Sequence, residues 1–166
     1  MNSIRYVDQM DLAGKRVLLR VDLNVPLRDG AVADDSRINA ILPTIRYVLE
    51  NGGMPIVCSH LDRPGGKRVP EYSLRPVSVR LSELTGKKVD FVDECVGPKA
   101  EQAAASLTSG SMLVLENLRF YPGEEANDDT FEACARWALA NASSTYTSAS
   151  DARERANVSS SASSPG

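Results

Sequence analysis

Three short apolar runs in this sequence end in polar side chains suited to holding an anion. Val17-Leu18-Leu19-Arg20-Val21 leads into Asp22-Leu23-Asn24-Val25-Pro26. Met54-Pro55-Ile56-Val57-Cys58 leads into Ser59-His60-Leu61-Asp62-Arg63-Pro64. Met112-Leu113-Val114-Leu115 leads into Glu116-Asn117-Leu118-Arg119-Phe120, and Arg37 follows Asp34-Asp35-Ser36 at the start of a helical pattern. Guanidinium groups bind carboxylate and phosphate oxygens bidentately. Asp22 and Asn24 can exchange hydrogen bonds with ligand hydroxyls. If Arg37, His60, Arg63 and Arg119 share a cleft with Asp22 and Asn24, the chemistry points to a small phosphorylated or carboxylated ligand.

Each of these side chains has a plainer reading on its own. An arginine after a strand is commonly a surface or ion-paired residue, and a single histidine is more often packed than functional. Asp22 and Asn24 also suit a turn closing against Pro26. Gly65-Gly66-Lys67 lacks the spacing of a phosphate loop, since Arg68 follows the lysine, and it reads as a flexible loop. Glu124-Glu125 reads as the solvated approach to a helix, and Tyr72, Phe91 and Trp137 read as core.

The elements between these residues decide whether they can meet. Ile38, Ile41, Leu42, Ile45, Val48 and Leu49 recur at helical spacing, and Asn51-Gly52-Gly53 ends that helix. Further helices are expected over Pro76–Leu84, with Gly86 just beyond, over Pro98–Leu107 and over Asp128–Ala140. Val89–Val92 reads as another strand. Strict alternation of strand and helix implies right-handed βαβ units, hence an α/β fold with a parallel sheet covered by helices on both faces. Ligands of such sheets gather outside the carboxyl ends of the strands, where the polar residues fall.

Composition narrows the alternatives. With 19 Lys+Arg against 22 Asp+Glu the net charge is -3, which offers no case for nucleic-acid binding. No apolar run is long enough for a membrane helix and the start of the chain lacks a signal-peptide pattern, so a cytoplasmic location is expected. Cys58, Cys95 and Cys134 are scattered and His60 is the sole histidine, which argues against a zinc site or a disulfide framework. The 166 residues suit one domain. Residues 1–142 have ordinary α/β composition, whereas the Ser-rich tail 143–166 reads as poorly ordered.

Several ordered motifs resemble those of phosphoglycerate kinases. They are RVLLRVDLNVPLRDG from Arg16, DDSRI from Asp34, LPTIRYVLENGG, SHLDRPGGK from Ser59, EYSLRPV from Glu71 and LENLRFYPGEEAND from Leu115. The resemblance covers about residues 5–142 and implies the N-terminal, Rossmann-like three-layer domain of a two-domain, hinge-bending kinase. It implies phosphoryl transfer between ATP and 3-phosphoglycerate, giving ADP and 1,3-bisphosphoglycerate, with Mg²⁺ on the nucleotide and a typically monomeric protein. Asp22, Leu23 and Asn24 match the family's DFN substrate triplet, with Leu for Phe. Arg37 matches the arginine that stabilises the transferring phosphoryl group. His60, Leu61, Asp62 and Arg63 match the SHLGRP motif, and Arg119 matches the ENLRF arginine.

Three departures qualify the match. Asp62 stands where the family has glycine. The family segment YVNDAFGTAHRAH is expected after Ala142, but the chain reads TYTSASDARERAN there, so no role passes to Arg153 or Arg155. A fifth strand is expected over Ser143–Ser148 with Ser and Thr where the family has Val, and a shifted reading frame would restore a Val-rich strand. A truncated, frameshifted product is therefore expected, with no nucleotide bound by this chain and no turnover alone. The alternatives are a non-catalytic acid-binding module and a non-functional product.

Overall fold

The computed structural model describes residues 6–126 and 145–148. Its main sheet contains β1 (Arg16–Arg20), β4 (Met54–Cys58), β5 (Val89–Val92), β6 (Met112–Leu115) and β7 (Thr145–Ser148), in the order β5-β6-β4-β1-β7. Every pairing is parallel. β1 and β4 are in register from Arg16 opposite Met54 to Arg20 opposite Cys58, so their carboxyl ends are level.

Alternation along the strands explains the layers. Val17, Leu19, Val57, Met112 and Val114 enter one core with Ile38, Ile45 and Val48 of α1 (Ser36–Glu50) and Val77 and Leu81 of α2 (Arg75–Thr85). Leu18, Ile56, Leu113 and Leu115 point the other way, into a second core with Ala104 of α3 (Pro98–Ala105) and Leu107. Successive side chains of a strand face opposite sides, so uninterrupted apolar strands require cover on both faces. That is the α/β, parallel, three-layer arrangement the sequence implies.

The helix signals act close to where they were expected. α1 ends at Glu50 before Asn51, and α2 ends on Gly86 at φ 63, a left-handed cap that glycine adopts without a Cβ clash. One feature adds to the sequence reading. A two-stranded hairpin, β2 (Leu27–Arg28) with β3 (Ala31–Val32), turns at Asp29-Gly30 with both φ values positive. Asp-Gly is the residue pair such a turn favours. Thr145–Ser148, within the Ser143–Ser148 stretch where a fifth strand is expected, forms a strand that pairs with β1 along Val17–Arg20. Unpaired N–H and C=O groups on that side of β1 offer a template for a further strand, and Thr and Tyr accept extended backbone. The expected helix over Asp128–Ala140, Trp137, and the rest of 143–166 lie outside the described residues.

Candidate functional site

The order β6-β4-β1 places the three polar strand ends side by side on one rim. Side chains then tie neighbouring ends together. The Asp62 N–H donates to Asn24 Oδ1 at 2.9 Å, joining the segment after β4 to that after β1. The Asp62 carbonyl accepts from Arg119 Nη1 at 2.9 Å, joining it to the segment after β6. Asp22 Oδ1 accepts from the Asn24 N–H at 3.0 Å, and its Oδ2 accepts from the Arg37 guanidinium at the start of α1. Asp22, Asn24, Arg37, Asp62 and Arg119 therefore form one chain of contacts across elements remote in sequence.

A buried layer beneath fixes these loops. The Asn117 side chain is fully buried; its Oδ1 accepts from the N–H groups of Leu61 and Arg119, and its Nδ2 donates to the carbonyls of Leu61 and Tyr72. Glu116, also buried, accepts from Ser73 Oγ and from the N–H groups of Leu74 and Asn117. Ser59 Oγ accepts from the Leu23 N–H at 2.9 Å, and its carbonyl accepts from the Leu118 N–H. Buried polar groups must be satisfied in this way or cost folding free energy.

Two motif side chains do not reach the rim. Leu23 and Leu61 are buried in the first core at 0% and 3% exposure. Their apolar side chains pack into the core beneath the strand ends, while their backbone stays in the tied loops: the Leu23 N–H donates to Ser59 Oγ and the Leu61 N–H to Asn117 Oδ1. Arg63 is exposed, and among the described residues no carboxylate pairs with its guanidinium. Asp62 is exposed with φ 54, and its Oδ1 accepts from the Arg63 N–H at 2.8 Å. Positive φ is costly for a residue with a Cβ, which gives a physical reason for the glycine that the motif carries at this position.

Electrostatics separate the two titratable groups between the arginines. Burial pushes the Asp22 carboxyl up, but the Asn24 N–H and the Arg37 guanidinium outweigh it and hold the group below the ordinary carboxylate value. Burial, then the positive charge of Arg119, push His60 below the ordinary imidazole value, against the opposite pull of Asp22 and Glu124. An imidazole lowered in this way is mostly neutral near neutral pH.

Two participants were absent from the candidate list. Arg20 is the last residue of β1, and its Nη2 meets Glu124 Oε1 at 3.0 Å. Glu124 lies in α4 (Pro122–Ala126); its side chain is 6% exposed and its Oε2 also meets Arg119 Nε at 3.4 Å. The reading of Glu124 as solvated is therefore corrected: two arginines from the strand ends neutralise it in the interior. Gly66 shows why α4 sits there. Its N–H donates to the Arg119 carbonyl, and a Cβ on it would come within 2.9 Å of Pro122. The Gly65-Gly66-Lys67 stretch is held against α4 by that contact. Arg20 could have been found as a charged residue closing an otherwise apolar strand. Glu124 carried no local signal.

The fold and the rim define a parallel α/β domain whose strand ends gather arginines and carboxylates on one edge. The phosphoglycerate kinase family model matches residues 7–156, and the chain belongs to that family. A phosphoglycerate kinase from Chloroherpeton thalassium is 54% identical over 127 residues, 76% of this chain and 32% of that protein. A chloroplastic phosphoglycerate kinase from Volvox carteri is 53% identical over 131 residues, 78% of this chain and 28% of that protein. The chain thus spans about a third of the length of the curated relatives it matches. The structure of phosphoglycerate kinase from Coxiella burnetii aligns with TM-score 0.69 and 30% identity, covering 86% of this chain and 34% of that one. The Pyrococcus horikoshii enzyme aligns with TM-score 0.66 and 34% identity, over 73% and 29%. Among the described residues no helix is long and apolar enough to cross a membrane.

Proposed function

We propose that these residues form the acid-binding half of a phosphoglycerate kinase, holding 3-phosphoglycerate or 1,3-bisphosphoglycerate during reversible phosphoryl transfer with ATP and ADP. The observation that carries the reading is the linkage of Asp22, Asn24, Arg37, Asp62 and Arg119 across three adjacent strand ends. His60 and Arg63 follow the central one of those strands. Arg63, Arg119 and His60 would bind the triose phosphate and carboxylate oxygens, and Asp22 and Asn24 the hydroxyl. Arg37 would leave Asp22 to neutralise charge on the equatorial oxygens of the transferring group. Such a transfer depends on positioning and charge stabilisation more than on covalent work by the protein.

The nucleotide and its Mg²⁺ supply the transferable phosphoryl group in this reaction. The rim residues do not fit as its holders. Asp22 is committed to Arg37 and the Asn24 N–H, Asp62 to the Arg63 N–H, and Glu124 to two arginines. Among the described residues no cluster of three or more His, Cys, Asp and Glu side chains suits a metal ion. The role proposed for residues 1–166 is acceptor binding within the cytoplasmic or plastid enzyme.

Calorimetric titration of 3-phosphoglycerate into the 166-residue chain tests the reading. Saturable binding that is lost in Arg119→Ala is expected, with no turnover by the chain alone in a coupled ATP assay. Absence of binding by a folded chain would overturn it. Turnover by the chain alone would overturn the restriction to acceptor binding.

A further inference from the structure

The buried carboxylate of Glu124 has no part in the reading above, yet it is placed where it can govern two of the rim's cations. Arg20 closes β1 and Arg119 follows β6, on either side of β4 and His60. Two guanidinium groups facing one small site repel each other, and long side chains lose much rotamer freedom when fixed. Glu124 meets both, one oxygen to each: Oε1 to Arg20 Nη2 at 3.0 Å and Oε2 to Arg119 Nε at 3.4 Å. Holding Arg119 through Nε turns its outer nitrogens toward the segment after β4, where Nη1 donates to the Asp62 carbonyl at 2.9 Å. The carboxylate is itself fixed, because α4 packs on Gly66 and the Glu124 N–H donates to the Tyr121 carbonyl at 3.1 Å.

We propose that Glu124 is the positioning residue of the acid-binding rim, bridging Arg20 and Arg119 so that Arg119 is pre-set for the ligand anion. The inference rests on the functional reading above. It runs against bare electrostatics: a negative charge near an anion site weakens binding, so removing it should help. Pre-organisation makes the opposite forecast, because a guanidinium that must be ordered on binding costs affinity.

Three measurements on the full chain decide. In calorimetric titration with 3-phosphoglycerate, Glu124→Gln should bind at least tenfold more weakly than the parent, and Glu124→Asp, too short to reach both arginines, should fall between. Equal or tighter binding by folded Glu124→Gln would overturn the proposal. The second readout needs no ligand. His60, the sole histidine, gives an unambiguous ring-proton titration; the charges facing it are Arg119, Asp22, Glu124 and Arg20. Its pKa should fall further in Glu124→Gln and stay near the parent value in Glu124→Asp. An unchanged His60 titration in Glu124→Gln would overturn the placement of the Glu124 charge beside the rim on which the proposal depends. Third, the Arg119 Nε–H signal, assigned with Arg119→Lys, should exchange slowly in the parent and quickly in Glu124→Gln; equal exchange would overturn the proposal. If the parent does not bind 3-phosphoglycerate but the last two readouts change as stated, the functional reading fails while the bridge by Glu124 stands.

Discussion

The same strands end differently at their two rims. At the amino ends, β1 and β4 are closed by backbone bonds, Met54 N–H to the Lys15 carbonyl and Gly14 N–H to the Gly52 carbonyl. The charged contact there is Lys15 with Asp11, four residues apart, on an exposed surface. At the carboxyl ends backbone bonds are present too, Val21 N–H to the Cys58 carbonyl and Leu118 N–H to the Ser59 carbonyl, but side chains add contacts between partners far apart in sequence: Asp62 with Asn24, Arg119 with Asp62, Arg20 with Glu124. A backbone closure depends little on residue type. A closure made by side chains depends on every residue in it, so the carboxyl rim has been built from specific groups at the expense of tolerance.

That contrast can be broken in order of severity. Asn117→Ala removes a fully buried amide with four bonded backbone groups. The Leu61 N–H and carbonyl bonds are the fully buried ones; each such group left unsatisfied costs about 1–3 kcal/mol, so a loss of roughly 2–6 kcal/mol is expected in urea unfolding, a large share of the roughly 5–15 kcal/mol typical of a domain. Arg63→Ala should leave the urea midpoint nearly unchanged, since its guanidinium is exposed, but weaken 3-phosphoglycerate binding about tenfold or more, or roughly 1.4 kcal/mol. Asp62→Gly should tighten binding about three- to tenfold by removing a negative charge beside Arg63, checked by calorimetry on both chains, and should raise the urea midpoint by relieving the φ of 54. Lys15→Ala, at the other rim, should alter neither the urea midpoint nor the affinity, because exposed pairs are screened by solvent.

Much of this contrast was legible before the structure. Apolar runs and helix-stop residues located β1, β4, β5, β6, α1 and α2 to within a residue or so, because strand burial and left-handed caps are written in neighbouring residues. The polar strand ends followed, and parallel pairing then had to bring them to one rim. The strand order was not legible: nothing local says that β6 inserts between β5 and β4. The Asp29-Gly30 turn is also written locally, since Asp-Gly favours the two positive φ values it adopts. The burial of Glu124 has no local sign in the sequence. A glutamate beside a glutamate looks solvated, and only an arginine 104 residues earlier and a close-packed Gly66 make it interior. Leu23 and Leu61 show the converse, since motif membership named them while alternation sent their side chains into the core.

In the proposed function the carboxyl rim is a single anion site with His60 at its centre. Ring-proton NMR of this sole histidine, followed through a pH titration with and without 3-phosphoglycerate, tests it most directly. In the free chain the imidazole lies below its ordinary value because of burial and Arg119. Folding therefore disfavours its proton, and stability should decline as the pH falls through the unfolded value near 6.5 toward the folded one. A bound anion favours the imidazolium, so the ligand should raise the His60 pKa, and binding should take up a proton between the two values. A saturable shift of the His60 signal with a higher pKa in the complex is the predicted result. A His60 titration indifferent to saturating 3-phosphoglycerate, in a chain that remains folded, would contradict the claim.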